Sequence, residues 1–342
     1  MLKASAGQRK ARLVRTYLAG HPVWCSWQVT YRCTFRCRIC PYWQEPHPAA
    51  EELAVEDFER GAANLSRLGT LMVNLAGGEP LLRPDLPAIV EVLSRGHFTF
   101  ITTNGWRVGP DRAAELWRAG LWGASVSIDY VDEARQDAQR GIPGAFREAV
   151  RALEVFRDTR TRREQRVNLM AVLMADNQDE VEALVDLAAR LGVNFMVQPY
   201  SALKTGDGTP AARPPMAARL LAARRSHRRA VLSNPWFLAR FDAALDSGVP
   251  GCRAGQAAFN IDQAGRVTKC VEDRRQTVGS IVETPMPVLV ERLRRRWRQN
   301  RCRACWYNCR GEVEALYTPR GLLSALPILL LDGVKQAAPG FP

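Results

Sequence analysis

Cys33-Thr34-Phe35-Arg36-Cys37-Arg38-Ile39-Cys40 places three thiols on one short segment directly after a β-rich run, Trp27–Thr30. Three thiolates at this spacing can hold an iron–sulfur cluster and leave one iron unligated, an arrangement suited to chemistry at the metal more than to electron storage. His47, a few residues downstream, offers a fourth ligand for a competing reading, because Cys3His is a common structural zinc set. The spacing alone leaves zinc and iron–sulfur open.

Outward from this segment, short β-rich runs alternate with helical patterns between residues 24 and 200. The runs are Trp27–Thr30, Leu71–Ala76, Phe98–Thr102, Gly123–Ile128, Val167–Leu173 and Asn194–Gln198. Helical stretches at 56–69, 85–95, 111–119, 144–159 and 177–191 separate them, with Asp85, Asp111 and Asn177 as expected caps. Parallel strands joined by right-handed crossovers form either an open doubly wound sheet or a barrel, and both put the ligand at the strands' C-terminal ends. There the cysteine segment follows the first strand, Gly77-Gly78-Glu79-Pro80 the second, Asn104-Gly105 the third and Asp129 the fourth.

The 342 residues carry 46% apolar and 24% charged side chains, the composition of a globular chain and not of a disordered one. Nine clustered cysteines behind a basic start that lacks a signal peptide lead us to expect reduced thiols and a cytoplasmic location. The net charge of +13 suits nucleic acid, an anionic membrane surface or an acidic redox partner. Its densest run, Arg292 to Arg298, is spread round a helix, so a solvated helix is the simpler reading. No run of about 20 apolar residues is present to span a bilayer. Lys3, Arg9, Lys10, Arg12 and Arg15 near the start and the apolar stretch Leu322–Leu331 are the features compatible with peripheral contact at the inner face of a membrane.

A CxxxCxxC segment after the first strand, Gly-Gly-Glu-Pro after the second and the β/α alternation around both together resemble the radical SAM superfamily over residues 24–200. The resemblance implies an α/β fold, a partial (β/α)6 barrel of parallel strands. It implies a 4Fe–4S cluster on Cys33, Cys37 and Cys40, with S-adenosylmethionine on the open iron and an electron donor such as flavodoxin or ferredoxin. Gly77, Gly78 and Glu79 match the segment meeting the methionine amino group; Asn104, Ser127 and Asp129 match polar strand-end positions, and Arg140 can meet the carboxylate. Two departures stand out: Ile39 replaces the usual aromatic before the third cysteine, and Tyr130 stands where many relatives have glycine. Tyr130, Tyr200 and Arg140 are the candidate catalytic groups at the strand ends, with packing or cofactor binding as their alternative roles.

Cys252 and Cys270 flank a hairpin-like pair, Phe259–Asp262 and Gly265–Lys269, and are followed by Cys302, Cys305 and Cys309. This pattern resembles the SPASM or twitch extension, which implies one auxiliary 4Fe–4S cluster; Cys252, Cys270, Cys302 and Cys305 are the favoured ligands and Cys309 the contested one. Structural zinc is the simpler alternative. The expected organisation is a basic helix at 1–23, the barrel at 24–200, a helical bridge at 201–250, a hairpin-plus-helix cluster extension at 251–312 and an apolar tail at 313–342. The favoured function is radical modification of a ribosomally made peptide, by crosslinking or oxidation. Too few residues precede the barrel for a leader-binding domain, so a separate protein is expected to take that part. Radical dehydrogenation or carbon–carbon bond formation on a small molecule or membrane lipid is the second reading. A non-catalytic zinc or cluster protein on nucleic acid is the third, and it leaves Gly77–Glu79 without a role.

Overall fold

The computed structural model describes residues 5–331; Lys3 and residues 332–342 of the expected tail lie outside the described residues. Helix α1 (Ala6–Leu18) precedes β1 (Trp24–Thr30), so Cys25, buried, lies within the first strand. There follow α2 (Val55–Leu65), β2 (Met72–Gly77), α3 (Leu86–Ser94), β3 (Phe98–Thr103), α4 (Pro110–Ala119) and β4 (Gly123–Ser127). Then come α5 (Glu133–Arg140), α6 (Ala145–Asp158), β5 (Arg166–Leu173), α7 (Val181–Arg190) and β6 (Asn194–Pro199). Helices α8 (Ala217–Ser226), α9 (Pro235–Leu238) and α10 (Phe241–Asp246) lead to β7 (Ala258–Ile261), β8 (Arg266–Thr268) and β9 (Gly279–Ser280). The described chain ends with α11 (Met286–Arg298), α12 (Asn308–Ala315) and α13 (Pro319–Leu331).

The described strands form one sheet in the order β6-β5-β4-β3-β2-β1-β7-β8-β9. Strands β1 to β6 pair in parallel, the sheet does not close on itself, and the fold is an α/β partial barrel. The C-terminal hairpin does not stand apart from it. β7 lies parallel to β1, with Trp24 opposite Ala258 and Trp27 opposite Ile261, and β8 and β9 add antiparallel.

Each barrel strand divides its residues by parity. Cys25, Trp27 and Val29 of β1 and Val167, Leu169 and Ala171 of β5 join the core beneath the helices. The alternate positions, including Ser26, Gln28, Asn168 and Met170, line an internal cavity. Parallel strands buried on both faces are ordinarily apolar throughout, so polar residues at every second position mark a face that meets a ligand space instead of a core.

α1 closes the barrel's floor. Arg9 is buried, donates through Nη1 to the Ser94 and His97 carbonyls at 3.1 Å each, and stacks over Phe98 and Trp122. One of the basic residues expected to face a membrane is thus a structural plug. In α11 the apolar set Met286, Leu289, Val290 and Leu293 is buried at helical spacing, and the arginines lie round the rest of the helix.

The three expected caps differ from the structure. Asp85 makes no capping bond because its carboxylate pairs with Arg83 at 2.6 Å, and α4 begins earlier, with Gly109 as its cap and Pro110 in its first turn. Asn177 precedes a short turn before α7, but its side chain is drawn inward to the Asp129 and Val172 carbonyls.

Candidate active site

The cysteine loop leaves β1 and is pinned to the end of α5: Arg36 N donates to the Arg140 carbonyl at 3.1 Å and Arg38 N to that of Gln139 at 3.0 Å. Gly141 makes this approach possible. It has φ +70°, and a Cβ there would sit 2.8 Å from the Arg36 carbonyl oxygen. Cys33, Cys37 and Cys40 are partly exposed and all face the large cavity, about 760 Å3, that fills the barrel. Phe35 N donates to Cys33 Sγ at 3.4 Å, and Arg140 Nη1 lies 3.9 Å from Cys37 Sγ. Contacts of this kind to sulfur are among those that set a cluster's potential.

Burial pushes the Cys33 thiol up to about 12 and raises that of Cys37, with the Arg140 guanidinium opposing the rise at Cys37. Neutral thiols in this loop become thiolates on binding metal. Among the described residues no three His, Cys, Asp or Glu side chains converge on one point as a single metal ion requires. His47 packs its ring against Tyr31 at 5.1 Å. His47 thus packs on Tyr31 and does not join the three cysteines in a closed Cys3His set among the described residues.

The Gly77-Gly78 turn packs on the backbone that leads into this loop. Gly78 N donates to the Thr30 carbonyl at 2.7 Å and Glu79 N to that of Arg32 at 2.8 Å. A Cβ on Gly77 or Gly78 would lie about 2 Å from those same carbonyl oxygens, at 1.9 and 2.1 Å. Glu79 itself is not among the residues that line the cavity. Its buried carboxylate accepts from Thr103 Oγ1 at 2.7 Å, Leu81 N at 2.9 Å and Asn104 N at 2.7 Å, while the glycine backbone faces the cavity.

Asp129 likewise points away from the cavity. It is fully buried, accepting from Arg140 Nη2 at 2.7 Å and Val172 N at 2.8 Å, and burial raises its pKa against the pull of Arg140. Its partner Arg140, with Asn104 and Ser127, does line the cavity, and the Arg140 Nε is buried without a partner among the described residues. Tyr130 is not at the mouth. Its ring packs with Met174 and Tyr200, Arg135 stacks on it, and its hydroxyl donates to Asp176 at 2.8 Å. Tyr200 lines the cavity, but its hydroxyl donates to the Asp207 carbonyl at 2.7 Å.

Cys252, Cys270, Cys302, Cys305 and Cys309 line one smaller void of about 60 Å3 beneath the hairpin. Burial pushes the Cys270 and Cys305 thiols up to about 12. Cys309 lines both this void and the large cavity, as do Glu272 and Tyr307, which are joined by a 3.1 Å bond from the Tyr307 hydroxyl. The two cysteine groups therefore adjoin one space. Several wall residues escaped sequence reasoning. Lys204 lies over Tyr42 at 4.1 Å, and Asn308 and Glu312 face inward from α12. The strand parity of the interior residues was a visible signal; the facing of α12 was not.

Residues 27–188 match the radical SAM superfamily. The chain is 26% identical over 168 residues to an AdoMet-dependent heme synthase of Nitratidesulfovibrio vulgaris, covering 49% of this chain and 45% of that protein. It is 28% identical over 254 residues to a PqqA peptide cyclase of Bradyrhizobium diazoefficiens, covering 71% and 65%. The chain thus spans from about half to two thirds of the length of these relatives. Streptococcus suis SuiB has a similar fold. Its structure with precursor peptide SuiA superposes at a TM-score of 0.65 and 17% identity, covering 92% of this chain and 77% of that one, and SuiB has also been solved with S-adenosylmethionine. S-adenosylmethionine and a 4Fe–4S cluster are the cofactors of the radical SAM superfamily, and the five distal cysteines of this chain allow an auxiliary cluster. The sequence match and the shared architecture agree with the geometry of the cysteine loop, and residues 27–188 carry a radical SAM domain.

Proposed function

We propose that this protein modifies a ribosomally made peptide by radical chemistry, forming a crosslink or oxidising a side chain. The observation that carries this reading is the cavity of about 760 Å3 that touches both cysteine groups and sets side-chain amides and hydroxyls in a mainly apolar wall. Similarity to a peptide cyclase, and a fold shared with a protein solved on its precursor peptide, support it.

When bound, the cofactors supply a 5′-deoxyadenosyl radical able to take hydrogen from an unactivated carbon. Cys33, Cys37 and Cys40 hold the first cluster. The Gly77–Gly78 backbone, Asn104, Ser127 and Arg140 orient the cofactor, Arg140 through charge and the glycines through close approach. Asp129 and Glu79 act by positioning Arg140 and Asn104. Of the distal set, Cys252, Cys270, Cys302 and Cys305 would hold the auxiliary cluster, and Cys309, which lines both the small void and the large cavity, is the contested ligand. Tyr200 borders the substrate space, and an external flavodoxin- or ferredoxin-type donor supplies electrons. α1 and the aromatic floor keep water from the reacting centre.

Replacing Cys33, Cys37 and Cys40 together by Ala is expected to abolish 5′-deoxyadenosine formation, while Cys302→Ala with Cys305→Ala spares cleavage and stops product. A short precursor peptide is expected to raise 5′-deoxyadenosine formation by the reconstituted enzyme and to change in mass. The small-molecule reading draws on the heme synthase similarity and the apolar floor of Trp24, Phe98, Phe100 and Trp122. Stimulation by a porphyrin or lipid and none by peptide would replace the first reading with the second.

A further inference from the structure

Asn308 opens α12, is 7% exposed, and has no hydrogen-bond partner for either Nδ2 or Oδ1 among the described residues. Buried amides are almost always paired, so a residue with both ends free in a cavity wall needs an explanation. Its backbone is anchored: Asn308 N donates to Gln198 Oε1 at 3.3 Å, tying α12 across the barrel's open side to β6. One turn further, Glu312 faces the same cavity. Both its oxygens accept from Asn234 N, at 3.1 Å, and the Ser233 hydroxyl is a further neighbour; a carboxylate with about four lone-pair sites keeps acceptor capacity beyond these. That Ser233 hydroxyl is itself buried.

A primary amide offers one donor and one acceptor side by side in a plane. A residue in an extended peptide presents its own C=O and N–H to one side, the pair that a neighbouring strand would engage. Residues i and i+4 of a helix stand about 5–6 Å apart at Cβ. Alternate residues of a strand, which face the same side, repeat at about 6.6 Å. Asn308 and Glu312 therefore match the backbone groups of two peptide residues separated by one.

We propose that Asn308 grips the backbone of an extended peptide substrate through one residue's N–H and C=O, and that Glu312 accepts the N–H two residues along. This deepens the peptide reading of the cavity and rests on it. A small molecule without adjacent N–H and C=O groups leaves Asn308 half-paired.

The test uses anaerobically reconstituted enzyme with S-adenosylmethionine and calorimetric binding of acetyl-pentaalanine-amide. A set of analogues replaces each inner N–H in turn by an ester oxygen. Wild type is expected to lose about tenfold or more in affinity at two ester positions separated by one residue, the effect of leaving a buried partner unmade. In Asn308→Ala and in the near-isosteric Asn308→Leu, the first of these losses disappears and the second persists. An undiminished ester penalty in both variants overturns the subsite and leaves the peptide reading standing. Absence of any binding to wild type overturns the subsite too, and the precursor-peptide experiment then judges the peptide reading separately. Failure of both variants to fold, read by thermal denaturation, would make Asn308 a structural residue and also overturn the proposal.

Discussion

Glu79, buried, and Glu312, half-buried, are two acids held by different partners. The Glu79 carboxylate takes hydrogen bonds from Thr103, Leu81 and Asn104, and burial still raises its pKa. Glu79→Gln turns an amide NH2 toward a backbone donor, so the variant is expected to lose about 1–3 kcal/mol of stability, read as a lower melting temperature in the cofactor-free protein. Glu312 is pushed up by burial from 4.5 to about 7. Between those values the folded chain keeps a proton that the unfolded chain has released. The stability from its neutral form is therefore complete below about pH 4.5 and is lost as pH rises to about 7. Glu312→Gln removes this loss. Relative to wild type, the variant is expected to gain roughly 2 kcal/mol between pH 5 and pH 8 in urea unfolding, and an unchanged difference would dismiss Glu312 as the titrating group.

α5 shows how an element positions chemistry that its own side chains do not perform. It is polar along its length and capped by Asp132, which accepts from Arg135 N, so no apolar stripe marked it as a helix. The sequence reading singled out Arg140 there but not the helix that carries it. The last carbonyls of α5 hold Arg36 and Arg38 of the cysteine loop, and Gly141 ends the helix in the left-handed region. Gly141→Ala adds a Cβ against the Arg36 carbonyl and about 1–2 kcal/mol of backbone strain. The variant is expected to keep its circular dichroism while retaining less iron after reconstitution; equal iron would mean that the loop adapts. Tyr130 was placed near the mouth because it follows a strand, but the turn after β4 buries its ring beside Tyr200, and only the packed elements show which way the side chain goes.

At the scale of the molecule, the C-terminal segment completes the barrel as well as carrying cysteines. β7 covers the edge of β1, and α12 reaches β6 across the gap. A chain ending at residue 250 exposes the β1 edge and opens the cavity wall, so it is expected to aggregate on expression and to bind no cluster at Cys33, Cys37 and Cys40. Soluble, iron-binding 1–250 protein would show that the barrel stands alone. The composition of the cluster loop, the parallel β/α order and the inward polar parity were legible because each depends on residues within a few positions of one another. The roles of Glu79 and Asp129 as positioning acids, the burial of Arg9 and the pairing of β7 with β1 were not. Asn308 meets Gln198 from 110 residues away, and such a contact depends on register, helix facing and the packing between elements, which no local pattern encodes. The cysteine run, joined to Gly77–Pro80 and the β/α order, thus determined the family resemblance because each is a local pattern, and tertiary packing decided which side chains face the cavity.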